Sequence, residues 1–118
     1  MVRINLTQHN ASLEQGCEPR SEEMETRVRE LLTFEELPDL EAITARAIAL
    51  AEIAEQESAD EAMIGGAPWL MPSLDAALRL RGIQPVYAFS RRESVEVQQE
   101  DGSTRKMTRF RHLGFIRF

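Results

Sequence analysis

The chain has 118 residues, of which 42% are hydrophobic. This is enough for one domain with its own core, so folding needs neither disulfides nor a structural metal. The formal net charge of −6 is uneven, since residues 1–61 carry −10 and residues 62–118 carry +4. The pI of about 5.0 argues against a broad surface for duplex nucleic acid. A small anion can still bind the basic half, where arginine matches phosphate.

The single cysteine, Cys17, lies in a polar stretch. No disulfide framework is therefore predicted, and a reducing, cytoplasmic location is expected. We expect no membrane partner, because no apolar run approaches spanning length and no signal peptide precedes the first predicted strand. Two histidines and one cysteine lie far apart in the sequence, so no metal site and no other cofactor is predicted.

The first half of the chain predicts one strand and two helices. Residues 2–6 alternate between apolar and polar and predict strand one, which a polar loop follows. Residues 13–20 contain a glycine and a proline and are expected to be irregular. Ser21 is predicted to cap the first helix. Asp39 is predicted to cap a longer second helix, which extends to about residue 57.

The second half begins with a short apolar strand at residues 62–64 and a Gly-Gly-Ala-Pro turn. The third helix is expected to begin between Pro68 and Pro72, with Pro72 inside its first turn. Gly82 is a suitable residue just beyond the end of that helix. Residues 83–89 are apolar and predict strand three.

A hairpin is predicted to complete the fold. After residue 92 the apolar period changes to two, and Asp101-Gly102 is a strong turn signal. The return strand is expected from about residue 105 to 118, with a bulge at Gly114. Pro85 predicts that strand three is unpaired on one edge at that point.

These elements give the order β-α-α-β-α-β-β-β. Two right-handed crossovers imply three parallel strands, and the hairpin adds antiparallel ones. The predicted fold is therefore α/β. It is a small Rossmann-like three-layer sandwich in which residues 1–118 form a single domain.

Chemically active residues follow each of the three parallel strands. Open α/β sheets bind ligands at the carboxyl ends of such strands. A glycine turn lets an anion approach the backbone, and arginines offer paired donors to phosphate. A histidine there can act as general acid or base near neutral pH. The groups predicted to share this edge are His9, Gly65, Gly66, Ser90, Arg91 and Arg92.

Some of these residues have a second interpretation. The glycine turn can be purely structural, and Arg91 and Arg92 can be surface charges that answer nearby glutamates. Trp69, the only tryptophan, can stack on a nucleobase or pack over the sheet edge. His112, in the late hairpin, is interpreted as structural or interfacial.

Four segments together resemble a known family. They are the stretch from Ile4 to His9, the strand-glycine-helix unit at 63–82, the stretch from Gly82 to Arg92, and residues 110–115. The chain looks like the small stand-alone CRISPR-associated proteins of type III systems, several of which are ring nucleases. Those proteins are related to Rossmann-fold sensor domains, and they carry a Tyr-Ala-x-Ser/Thr-x-Arg strand end before a hairpin. Here a Gly-Gly-Ala-Pro turn replaces their more polar one.

The resemblance implies binding and cleavage of a cyclic oligoadenylate such as cyclic tetra-adenylate, the second messenger of type III CRISPR defence. It implies a homodimer with the ring across the two-fold axis, which suits a symmetric ligand. The implied reaction is metal-independent. A ribose 2′-hydroxyl attacks the adjacent phosphodiester and leaves a 2′,3′-cyclic phosphate.

The resemblance also implies roles for individual residues. Arg92 would bind phosphate and stabilise charge, Ser90 would position a phosphate or ribose, and His9 would assist proton transfer. The glycine turn would supply backbone contacts. The remaining candidate ligand-binding residues are Asn5, Thr7, Asn10, Gly65, Gly66, Trp69 and Arg91.

Two other functions stay open from the sequence. The same pocket could belong to a sponge or sensor that holds a cyclic nucleotide without cutting it. Alternatively, the protein could be a phage-borne interaction protein whose acidic helices at 21–57 mimic nucleic acid or dock a basic partner.

Overall fold

The computed structural model describes all of residues 1–118 and contains one four-stranded sheet and three α-helices. The sheet has the order β1-β2-β3-β4, in which the first three strands are parallel and β4 is antiparallel to β3. The predicted α/β, Rossmann-like sandwich is confirmed. The elements are β1 (Arg3–Asn5), α1 (Glu22–Leu32), α2 (Leu40–Gln56), β2 (Glu61–Met63), α3 (Met71–Leu80), β3 (Gln84–Gln98) and β4 (Thr104–Ile116).

The helices begin where the capping residues predict. The Ser21 hydroxyl accepts a hydrogen bond from the Met24 amide at 3.1 Å, and the Asp39 carboxylate accepts one from the Ala42 amide at 2.8 Å. Each side chain satisfies a backbone donor that has no partner within its helix. Pro72 lies in the first turn of α3. All three predicted helix starts are confirmed.

The predicted break after residue 92 was wrong, because β3 continues without interruption to Gln98. The fold therefore has four strands instead of the five in the predicted order. The polar Ser-Arg-Arg stretch does not end the strand, because β4 pairs with it throughout: Ser90 lies opposite His112, and Arg92 lies opposite Phe110. Backbone hydrogen bonding in a ladder does not depend on side-chain polarity.

Two backbone predictions for the hairpin are confirmed. The β3-β4 register shifts between Phe89 and Ser90, and Gly114 opposite has φ 149°, which identifies the predicted bulge. The ladder with β4 begins only at Tyr87, so Pro85 is unpaired on that edge. Beyond the sheet the hairpin forms a long exposed arm, and the longest dimension of the molecule is 56 Å.

The core lies between one face of the sheet and the helices. Because the strand order runs in one direction, right-handed crossovers place all three helices on the same face, so the sandwich has two layers instead of the predicted three. α2 packs against both α1 and α3. None of the helices is both long enough and apolar enough to cross a membrane. Representative core residues are Ile4, Leu6, Val28, Leu50, Ala62, Ile64, Leu74 and Leu78.

A short segment between β1 and α1 lies along the edge of β1 that is not paired with β2. A single turn of 3₁₀ helix, Leu13–Gln15, lies within the segment predicted to be irregular. The Arg3 guanidinium donates to the Gln15 carbonyl at 2.5 Å, and the Glu18 amide donates to the Arg3 carbonyl at 2.8 Å. This segment covers the free edge of the sheet, where exposed backbone groups would invite another strand.

Candidate functional site

A cavity of about 410 Å³, which we call the glycine cavity, lies at the carboxyl ends of the parallel strands. The loop after β1 contributes Thr7, His9 and Asn10, and the turn after β2 contributes Gly65 and Gly66. β3 contributes lining from residues 87–88. The predicted meeting of the strand-one loop with the glycine turn is therefore observed, at the edge where such sheets bind ligands.

Asn5 fixes the backbone of the loop that lines this cavity. Its side chain is 2% exposed, and its Oδ1 accepts hydrogen bonds from the Thr7 amide at 2.9 Å and the Thr7 hydroxyl at 2.6 Å. Its Nδ2 donates to the His9 carbonyl at 2.7 Å, and the Arg20 guanidinium donates to the Thr7 carbonyl at 2.7 Å. Asn5, predicted as a ligand-loop residue, is absent from the cavity lining and fixes the loop backbone.

The His9 side chain is free. It is exposed and forms no hydrogen bond within the protein, although its carbonyl is held by the loop network. Gly66, which also lines this cavity, has φ 139°, a conformation that other residues rarely adopt. The lining therefore includes an exposed histidine and glycine backbone without a side chain.

A neighbouring cavity of about 390 Å³, which we call the serine cavity, is lined by Ser90 and His112. It shares Asn10 and Gln15 with the glycine cavity, so the two adjoin. The His112 ring lies edge-on to Phe115, with ring centroids 4.9 Å apart. Sequence reasoning missed His112 as a partner of Ser90, because only the bulge sets which β4 residue lies opposite that serine.

The two adjacent arginines face opposite sides of the arm, as strand alternation predicts. Arg91 donates to Glu93 at 3.1 Å, and Arg109 and Arg111 lie 3.5 and 3.6 Å from the same carboxylate. The hydrogen bond from Arg91 and the three positive charges lower the pKa of Glu93. Arg91, a predicted ligand-binding residue, is therefore engaged within the protein.

Arg92 forms no ion pair and no hydrogen bond, in contrast to its neighbour. Strand alternation and its pairing with Phe110 place it on the same side of the arm as Ser90. It lines neither cavity, so the structure does not bring it into the predicted rim with His9 and the glycines. It is an unpaired cation two residues along the arm from the serine cavity.

Trp69 lies outside both cavities as well. The residue is 53% exposed, and its ring packs edge-on against Phe34, with centroids 5.8 Å apart. Phe34 lies between α1 and α2, so packing over the sheet edge and stacking on a nucleobase both stay predictions.

A charged cluster supports the sheet on the face opposite the helices. The Glu61 carboxylate pairs with Arg3 at 3.0 Å and with Arg117 at 3.0 Å, and the Arg3 guanidinium lies 4.4 Å from the Phe115 ring centroid. Burial acts to raise the pKa of Glu61, but hydrogen bonds from Arg117 and Arg3 and their charges outweigh it. The pKa of this carboxyl is therefore lowered.

This cluster predicts how stability depends on pH. Because the pKa of Glu61 is lower folded than unfolded, its contribution is complete above its ordinary value of 4.5 and is lost as pH falls through the lower folded value. The wild type should be more stable than Glu61→Gln at pH 6, and the difference should shrink below pH 4.5. Urea unfolding of both proteins between pH 3 and 7 measures this, and a difference that does not change with pH would contradict it.

A larger depression in the surface has a different character. It measures about 950 Å³, lies between α1 and α2, and is lined by four glutamates and only one arginine. Such a groove repels phosphate, so it is no part of the candidate anion site. No three side chains of His, Cys, Asp or Glu converge closely enough to hold a metal ion. The acidic residues of the groove are Glu22, Glu23, Glu30 and Glu52.

Comparison with known proteins identifies the family of this chain. The model of the uncharacterized protein MJ1673 family matches residues 1–116, so the chain belongs to that family. Neither the curated proteins nor the solved structures contain a match to the chain. The match spans both cavities and the whole arm.

Proposed function

We propose that this member of the MJ1673 family binds a cyclic oligoadenylate across its two adjoining cavities and cleaves it, with cyclic tetra-adenylate as the probe of choice. The observation that carries the proposal is the glycine cavity at the carboxyl ends of the parallel strands. The exposed His9 and the backbone of Gly66 both line this cavity. Phosphate oxygens can approach such a backbone closely.

The adjoining cavity extends the surface available to a ring-shaped ligand. Asn10 and Gln15 belong to both cavities, so a ligand that contacts the glycine turn can also reach Ser90. Arg92 is the nearest unpaired arginine along that face of the arm, and its fork of donors suits a phosphodiester. A homodimer with the ring across its two-fold axis would bring two such surfaces together.

The proposed chemistry needs no metal. A ribose 2′-hydroxyl attacks the neighbouring phosphorus, the bond to the 5′-oxygen breaks, and the products carry a 2′,3′-cyclic phosphate and a 5′-hydroxyl. The protein aligns the attacking oxygen and stabilises negative charge on the phosphoryl oxygens. Ser90 positions the phosphate or ribose, Arg92 stabilises the charge, and His9 contacts the ligand from the glycine cavity.

Product analysis tests this proposal. Purified protein is incubated with cyclic tetra-adenylate in EDTA, and the nucleotides are separated by chromatography. We expect linear products that end in 2′,3′-cyclic phosphate. Intact ligand that co-elutes with the protein would show binding without cleavage, and the protein would then be a sponge or sensor instead of a nuclease. Intact ligand that elutes free would contradict both.

The acidic groove favours a second candidate function. Its four glutamates suit a basic partner protein, as the interaction-protein hypothesis requires. If the protein is such an interaction protein, Arg92→Ala should have no effect on its activity, which is binding of the basic partner. Reversing the charges of Glu22 and Glu52 should abolish that binding. A pull-down with basic and acidic bait proteins separates this candidate from the nucleotide proposal.

A further inference from the structure

We propose that His112, in the serine cavity, is the residue that moves the proton in the cleavage reaction. This inference rests on the proposed function. It adds a role for a histidine whose sequence context indicated only a structural or interfacial part.

Ser90 and His112 lie next to each other in the sheet. Ser90 and His112 are directly opposite each other in the β3-β4 ladder, and directly opposite residues project to the same face of a sheet. The register shift beside this pair, at Gly114, sets that alignment. Both residues line the same cavity, so a ribose or phosphate held by the serine would lie beside the histidine.

The imidazole of His112 has a buried nitrogen without a hydrogen-bond partner. His112 Nδ1 is buried and has no hydrogen-bond partner, the only side-chain nitrogen or oxygen in the protein of which this is true. Buried polar side-chain atoms usually have a hydrogen-bond partner, and a catalytic role is one of the explanations for an atom that has none. Packing of the ring edge-on to Phe115 restricts how the imidazole can turn.

The charged side chains near the imidazole are few, and the arginines among them are paired with other residues. Glu14 is the only carboxylate that lines the serine cavity, and Arg109 and Arg111, which also line it, are both paired with Glu93. The Arg3 guanidinium lies 4.4 Å from the Phe115 ring centroid and is paired with Glu61. None of these ion pairs engages the imidazole, and because Nδ1 is buried, Nε2 is the ring nitrogen that would meet the ligand.

The proton step balances with this one residue. The imidazole accepts the proton of the attacking 2′-hydroxyl as the oxygen–phosphorus bond forms. Because the 5′-oxygen leaves on the side of the phosphorus opposite the attacking oxygen, the proton returns to it through solvent as that bond breaks. No water or other co-reactant is consumed, and the histidine ends neutral as it began. His9, which lines the glycine cavity and not the serine cavity, contributes to binding instead.

The test compares His112→Asn with His9→Ala on cyclic tetra-adenylate. We expect His112→Asn to lower kcat by about 10²-fold or more, the usual size of a general acid–base contribution, with little change in ligand Kd. His9→Ala should mainly weaken binding and raise KM. The wild-type kcat should vary with pH across the range where imidazoles titrate, and the residual activity of the asparagine variant should not.

The outcomes separate the two proposals. If the wild type cleaves the ring and His112→Asn cleaves it at the same rate, the assignment of His112 is overturned while the ring nuclease proposal stands. If the wild type leaves the ring intact, both fail. Should the asparagine variant not fold, His112→Gln and the wild-type pH profile decide, and a flat profile would overturn the assignment.

Discussion

Replacing Arg92 with alanine is expected to lower kcat for cyclic tetra-adenylate by about 10²- to 10³-fold, the usual cost of losing one donor that stabilises transition-state charge. The guanidinium has no partner in the protein, so its removal leaves no buried charge behind. Stability should therefore stay within about 0.5 kcal/mol of the wild type. Single-turnover cleavage with saturating enzyme measures the chemical step.

Arg105→Ala is the matched control for this variant. Arg105 is also an exposed arginine on the arm without an ion pair, but it lies opposite Val97 near the tip, on the other face. We expect the control to cleave at nearly the wild-type rate. Equal losses in both variants would indicate a general effect of positive charge, and no loss in Arg92→Ala would remove this arginine from the site.

Truncation of Leu50 is expected to destabilise the protein by about 2–5 kcal/mol. Its side chain is fully buried at the centre of α2, the helix that packs against both α1 and α3. Alanine would leave a cavity that three packed elements cannot close. Urea unfolding followed by circular dichroism measures the change in the free energy of unfolding.

Leu37→Ala provides the comparison for that measurement. Leu37 is 98% exposed, so the same substitution removes almost no buried surface there. Its effect should be within about 0.5 kcal/mol. A loss of less than 1 kcal/mol for Leu50→Ala would show that the core is packed differently from the structure described above.

Local chemistry made much of the fold predictable from the sequence. Ser21 and Asp39 indicate where α1 and α2 begin, because their side chains accept hydrogen bonds from free backbone amides. Asp101-Gly102 marks the hairpin because a tight turn needs such residues. The parallel order of the first three strands follows from the helices between them.

The continuity of β3 could not be predicted in the same way. Polar residues at 90–94 interrupt the apolar pattern, and the sequence gives no sign that β4 pairs with them. Pairing is a long-range property, fixed here by the hairpin register and by a one-residue bulge beside Ser90. The arm is exposed on both faces, so hydrophobic patterning carries little information about it.

The difference between local signals and long-range strand pairing also explains which parts of the candidate site could be predicted. His9 and the glycine turn follow parallel strands, so the strand-end rule predicted that they share a cavity. Where Arg92 lies depends instead on how far the ladder continues, and it lies outside both cavities. The pairing of Ser90 with His112 depends on the bulge, which shifts the register by one residue.

Thermal unfolding of the wild type with and without cyclic tetra-adenylate tests most directly whether the two cavities bind this class of ligand. Binding to the folded state alone stabilises it by about 2.7 kcal/mol at a ligand concentration one hundred times Kd. We therefore predict a rise in Tm of several degrees that saturates with ligand, and none with the same concentration of AMP. An unchanged Tm at millimolar cyclic tetra-adenylate would contradict the proposal that the cavities bind a cyclic oligoadenylate.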